Sequence, residues 1–202
     1  MTGYKFTQDW FHWAPEVWQQ LIPKLPGRER MLELGAYEGR STAWIVENML
    51  EDDGVLISVD TWEGAEEHVA AGEDMNAVEK NFDHNLNILN ERYEKRTILK
   101  FKKTSYDAMV SLGGGPPFDF IYIDASHTAP DVLTDACVAW PLLKKDGVMV
   151  FDDYLWSETT PPETDPMRCP KPAIDAFVNT YVRKLSVLRA PLYQLYVQKI
   201  AE

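Results

Sequence analysis

The period of the hydrophobic positions changes several times along the chain, and each change marks an element. Short apolar runs recur at Met31 to Leu34, Val55 to Val59, Ile98 to Phe101, Phe118 to Ile123 and Val148 to Phe151. Runs this short, bounded by glycine, proline or acidic residues, predict buried strands. Between them the spacing turns helical. Ala43 to Leu50 reads as one helix, and Val78, Phe82, Leu86 and Leu89 as the apolar face of another that ends near Asn90. Thr104 and Ser105 cap a third, and Thr128 with Pro130 starts a fourth with Val132, Leu133, Ala136, Cys137 and Trp140 turned inward. A last helix, Ala173 to Tyr181, precedes two strands at about Lys184 to Leu188 and Leu192 to Gln198, which read as an antiparallel pair. Strands alternating with helices predict an α/β fold: a seven-stranded, mostly parallel sheet with helices on both faces and the antiparallel pair at its C-terminal end.

Three stretches fall outside this alternation. Residues 1–27 hold Trp10, Phe11, Trp13 and Trp18 ahead of Pro23 and Pro26, and predict an N-terminal extension with a helix at about Pro15 to Ile22. Its rings pin it to the core or to a second copy of the chain, or else form a stacking platform for a substrate ring. The segment Ala65 to Asn76 is acidic and small, and reads as a flap over the ligand edge, with Trp62 as a lid ring and His68 facing solvent. From Tyr154 to Pro172 five prolines mark a long loop of the kind that is functional or disordered. Residues 28–202 then form the main domain.

Composition narrows the classes. The 202 residues are 45% hydrophobic and 26% charged, as in a soluble globular protein. A net charge of −12 argues against a phosphate-backbone partner, because nucleic-acid binding rests on clustered Lys and Arg. The densest basic stretch, Lys95, Arg96, Lys100, Lys102 and Lys103, straddles an apolar run and reads as a solvated edge. No apolar run approaches the ~18 residues of a membrane span, and Met1 to Phe6 lacks a signal-like start, so a cytoplasmic location is expected. Cys137 and Cys169 have neither metal-ligand nor disulfide-framework spacing and read as free thiols.

Chemistry gathers at the strand ends. In open α/β sheets ligands bind outside the carboxyl ends of the strands, where Asp60, Asp124, Asp152 and Asp153 all fall. Gly35 and Gly39 allow a tight turn between the first strand and its helix. A dinucleotide fingerprint would need glycines at 35, 37 and 40, but Tyr37 and Arg40 stand there, which counts against a nicotinamide cofactor. Asp60, about twenty residues beyond the turn, is placed to accept from ribose hydroxyls. Several carboxylates at one edge need partners, and hard oxygen donors at this density suit Mg²⁺ or a similar ion. Gly113 to Gly115 lacks the Lys-Ser/Thr of a phosphate loop and reads as a turn.

The pattern Glu33, Gly35, Gly39, the run Val59 to Trp62, the segment Ile121 to His127 and the segment Val150 to Tyr154 together resemble class I S-adenosylmethionine-dependent methyltransferases. Within them the match is to the branch of small-molecule and sugar O-methyltransferases. The resemblance implies a Rossmann-like fold and S-adenosylmethionine held by Glu33, Gly35, Ala36, Tyr37, Gly39, Ser41 and Thr42. It also implies Asp60 on the ribose, Thr61, Trp62 and Asp124 in contact, and Thr104 and Ser105 near the adenine. By analogy with metal-dependent members, Asp124, Asp152 and Asp153 would hold Mg²⁺ or Mn²⁺, although Asp153 stands where Asn is usual. The implied reaction is in-line methyl transfer to a small-molecule hydroxyl, with Asp124 and His127 catalytic and His127 taking the proton. Two further readings stay open: a metal-independent enzyme with His127 as base, and a non-catalytic S-adenosylmethionine-binding module with the N-terminal rings as its partner surface. A nucleic-acid amino-methyltransferase would want Asp/Asn-Pro-Pro-aromatic where this chain has Asp124 to His127.

Overall fold

The computed structural model describes residues 3–65, 68, 70–160 and 162–202. Its centre is the sheet expected from the strand pattern: β1 (Arg30–Leu34), β2 (Val55–Asp60), β3 (Thr97–Lys102), β4 (Phe118–Ile123), β5 (Leu143–Phe151), β6 (Leu185–Val187) and β7 (Leu195–Lys199). These seven strands lie in the order β3-β2-β1-β4-β5-β7-β6, giving a Rossmann-like mixed sheet. The first five are parallel, while β7 runs antiparallel to β5 and β6 antiparallel to β7. The chain leaves β1 toward β2 and returns to its other side as β4. That reversal places a crevice outside the carboxyl ends of the strands, where a ligand has access to backbone groups.

Each side of the sheet has its own core, as the two-residue period of a strand requires. Leu32, Leu34, Ile121 and Ile123 face α4 (Ser105–Leu112), α5 (Ala129–Ala139) and α6 (Lys171–Thr180), where Met109, Val132, Ala136 and Phe177 are buried. Met31, Phe120 and Tyr122 face the other way, onto α1 (Ala14–Leu21), α2 (Arg40–Trp44) and α3 (Met75–Arg92). The N-terminal rings divide. Phe11 and Trp18 are buried in this second core, with Trp18 edge-on to Tyr122 at 4.9 Å, whereas Trp10 and Trp13 stay near the surface.

The departures from the sequence reading have local causes. Helix α3 starts three residues early because Asp74 caps it, its carboxylate accepting from Asn76 and Ala77 N–H. Helix α2 starts at Arg40, directly after Gly39 in the left-handed region, and continues into a π-turn over Ile45–Met49. Strand β5 starts at Leu143 because its pairing with β4 shifts register near Phe118, through Asp146 at φ 68°. The basic edge is paired: Lys100 bonds Glu79 and Asp83, and Lys102 bonds Glu79. Of the flap, residues 66, 67 and 69 lie outside the described residues, as does residue 161 of the proline-rich loop. That loop carries a short turn at Pro166–Arg168. Both cysteines are free thiols, and no described helix is long and apolar enough to cross a membrane.

Candidate active site

The turn after β1 is shaped by glycines for a specific reason. Gly35 sits at φ +88°, and a Cβ there would lie 1.9 Å from the carbonyl oxygen of Asp124, so the backbones leaving β1 and β4 touch. Only a residue without Cβ permits that approach. Behind the turn Glu33 is fully buried, its carboxylate accepting from Ser41 Oγ at 2.5 Å, Thr42 Oγ1 at 2.5 Å and Ser58 Oγ at 2.7 Å. It ties the start of α2 to β1 and β2. Burial pushes the Glu33 carboxyl up to about 7, against the opposing pull of its three hydroxyl partners.

That shift has a consequence for stability. Between the ordinary carboxyl range and pH 7 the folded chain keeps a proton that the unfolded chain has lost, so stability falls as pH rises through this window. The loss amounts to about 3 kcal/mol. Glu33→Gln keeps the shape and removes the titration. Urea midpoints at pH 5 and pH 8 should therefore drop more for the wild type than for the variant; parallel profiles would contradict the assignment.

Asp60, at the end of β2, holds the same turn from the front. Its Oδ2 accepts from Ala36 N–H at 3.0 Å and Tyr37 N–H at 2.9 Å, and its Oδ1 from Trp62 N–H at 2.7 Å. Its Oδ1, which accepts only once, has a further lone pair for a ligand hydroxyl. The N-terminal segment closes over this turn. Glu38 accepts from Thr7 N–H at 2.5 Å and from Asn81 at 2.7 Å, while Arg40 donates to the Gln8 carbonyl. Trp10, Tyr37 and His68 then form a ring tier at the cavity mouth, with Tyr37 stacked on His68 at 5.6 Å. The expectation of a solvent-facing His68 is therefore corrected: its ring packs on Tyr37, half-buried.

Together these elements wall a cavity of about 1300 Å³. Along the sheet edge the lining runs from Thr104 and Asp60, after β3 and at the end of β2, past the Gly35 turn to an acidic rim at the ends of β4 and β5. In that rim Tyr122, buried, places its hydroxyl 2.9 Å from Asp124 Oδ2 and in contact with Asp152 Oδ2. Asp152 also accepts from Gln194 Nε2 and from Asp153 N–H, each at 2.8 Å. Burial pushes Asp152 up to about 6, helped by the charge of Asp153. The Asp124 carboxyl is held well above its ordinary range by burial first and by Asp152 and Asp153 next. Asp153 Oδ2 lies 2.9 Å from His127 Nε2, and Trp156 covers the His127 ring at 4.2 Å. Asp124, His127 and Asp153 can each offer a ligand atom within 4.8 Å of the others.

The structure sorts the expected residues. Gly35, Ala36, Tyr37, Ser41, Asp60, Thr61, Thr104, Ser105 and Asp124 line the cavity, as do His127, Asp152 and Asp153. Glu33, Gly39, Thr42 and Trp62 do not; they support the turn from behind. Trp62 is a buried pillar, corrected from a lid ring: its indole N–H bonds the Tyr37 carbonyl at 2.8 Å and its ring packs on Phe82. Asp152 is turned toward Tyr122 and Gln194, and the cluster able to hold a cation takes His127 in its place. Ser105 lends its hydroxyl to Asp135 at 2.6 Å. Tyr122 and Gln194 went unmarked in the sequence. Tyr122 had a signal, since it shares a strand face with Asp124; Gln194 had none.

Comparison with known proteins agrees with this fold. A family profile described as a methyltransferase domain matches residues 32–154, from within β1 to just past the Asp152-Asp153 pair. No curated protein sequence matches the chain. Among solved structures, the O-methyltransferase TomG of Streptomyces achromogenes, solved with S-adenosylmethionine, has a TM-score of 0.65 at 17% identity over 94% of this chain and 80% of its own. An O-methyltransferase from Bacillus cereus, solved with S-adenosylhomocysteine, has a TM-score of 0.63 at 17% identity over 98% of this chain and 84% of its own. At such identities the likeness establishes the fold, and the profile match over more than half of the chain establishes the family. The chain belongs to the methyltransferase-domain family of class I S-adenosylmethionine-dependent methyltransferases.

Proposed function

We propose that this protein methylates a hydroxyl oxygen of a small, ring-bearing molecule, with the acceptor placed at the Asp124, His127 and Asp153 end of the cavity. The observation that carries this reading is the division of the cavity: a glycine turn with Asp60 at one end, and a cluster of proton-accepting side chains at the other. About 1300 Å³ exceeds the range of ~300–1,000 Å³ for a single-ligand site, which leaves room for donor and acceptor together. Trp13 and Tyr193, with ring centroids 5.3 Å apart, and Trp156 offer flat faces for a ring.

S-adenosylmethionine supplies an electrophilic sulfonium methyl group. The chain's part is to hold it by backbone groups of the Gly35 turn, accept from its ribose at Asp60, and bring the acceptor oxygen into line. Where no cation is bound, the hydroxyl proton passes to the His127 ring at the nitrogen Asp153 does not engage, since Nε2–H donates to Asp153 Oδ2, which orients the ring and stabilises its charge. The donor set of two carboxylates and one imidazole fits a divalent cation, and Asp124, His127 and Asp153 would hold Mg²⁺ or Mn²⁺. Such an ion supplies positive charge that lowers the pKa of a nearby hydroxyl. The 2.9 Å contact of His127 with Asp153 favours a second reading, in which His127 works as base without metal.

Methyl-labelled S-adenosylmethionine, offered with a panel of sugars and phenols, tests both. The first reading expects label on oxygen, at least a tenfold loss with EDTA, and recovery with Mn²⁺. Undiminished turnover in EDTA selects the second. Label on nitrogen or carbon overturns the O-methylation claim.

A further inference from the structure

Behind the rim lies a buried side chain that no step above uses. Gln194, 1% exposed just before β7, donates from Nε2 to Asp152 Oδ2 at 2.8 Å. Its own oxygen accepts from Trp18 Nε1 at 2.8 Å and from the Tyr196 hydroxyl. An indole nitrogen can only donate, so the amide has one orientation: oxygen toward Trp18 and N–H toward Asp152. A flip would set two donors face to face in a buried place.

Tyr122 cannot do this work by itself. Its hydroxyl carries one hydrogen and meets two carboxylates, Asp124 and Asp152. Gln194 is thus the side chain that gives Asp152 a full donor while Tyr122 is shared. With Asp153 N–H on Oδ1 and Gln194 on Oδ2, both oxygens of Asp152 are engaged by fixed donors, and the carboxylate is kept out of the Asp124, His127 and Asp153 group.

We infer that Gln194, anchored by Trp18 of the N-terminal helix and by Tyr196, is a specificity-determining positioning residue: by withholding Asp152 it leaves a cation site of two carboxylates and one imidazole. This rests on the cation reading proposed above. A set containing imidazole favours Mn²⁺ over Mg²⁺, whereas a third carboxylate would favour the harder ion. The N-terminal helix thereby helps set the metal preference of the rim on which Trp18 packs.

The test uses Mn²⁺ and Mg²⁺ alone as probes, by calorimetry on the whole chain, and reads the ratio of their dissociation constants. Gln194→Met conserves volume and removes the N–H. It should narrow the preference for Mn²⁺ at least fivefold, chiefly by tightening Mg²⁺ binding as Asp152 turns in. Tyr196→Phe, which removes a single hydroxyl and keeps the fold if Gln194→Met does not, should move the ratio the same way by a smaller factor. General destabilisation weakens both ions alike and leaves the ratio still. An unchanged ratio in both variants, with the wild type binding both ions, overturns the role of Gln194. A wild type that binds neither ion overturns the cation reading, and the inference with it.

Discussion

Gly35→Ala is expected to lower the thermal midpoint by about 10 °C or more and to weaken S-adenosylhomocysteine binding at least tenfold. A Cβ at this position would meet the Asp124 carbonyl oxygen at 1.9 Å and its carbon at 2.4 Å, and neither is a flexible side-chain end that can swing away. The turn must also keep φ +88°, which costs a residue with a Cβ about 1–3 kcal/mol. Separating the backbones after β1 and β4 adds overpacking of about 1–3 kcal/mol, so the sum is a large share of the stability of an ordinary domain. The same movement carries Ala36 and Tyr37 N–H away from Asp60. Gly114→Ala is the control. Gly114 also has a positive φ, +78°, but nothing lies within 4 Å of its Cβ position, so that variant should lose about 1 kcal/mol or more and bind the cofactor product normally.

The second large effect separates the two ends of the cavity. Asp60→Ala removes the acceptor of three backbone N–H groups and the proposed ribose acceptor, and should weaken S-adenosylhomocysteine binding by at least about tenfold. Asp153→Ala leaves the glycine turn untouched and removes the partner of His127 Nε2. A general base without its orienting carboxylate, or a cation site without one ligand, should lose about 10²-fold or more in turnover. Binding and turnover are thus predicted to fail in different variants.

How far the sequence discloses this site depends on the distance over which each contact acts. The sheet was legible because burial in a parallel sheet forces short apolar runs, and β4 falls at Phe118–Ile123, where the run predicts it. The glycine turn and Asp60 were legible because they lie within one βαβ unit with fixed spacing. The orientation of side chains at the rim was not. Asp152 and Asp153 are neighbours in the chain, yet one faces Gln194 and the other His127, since φ at Asp153 is 53° and turns the backbone between them. Gln194 is 42 residues from Asp152 and 176 from Trp18, separations at which no local pattern survives. For the same reason the N-terminal rings could be counted but not sorted: packing on Tyr122 put Trp18 inside, and closure of the segment over the glycine turn left Trp10 at the mouth.

The central claim is that the donor is held at the Gly35 and Asp60 end while the reaction is run at the Asp124, His127 and Asp153 end. Parallel calorimetric titration of S-adenosylhomocysteine into the wild type, Asp60→Ala and Asp153→Ala tests it most directly. The account predicts one site per chain in the wild type, affinity reduced at least about tenfold in Asp60→Ala, and affinity within about twofold of wild type in Asp153→Ala. Equal weakening in both variants, or full affinity in Asp60→Ala, would contradict it.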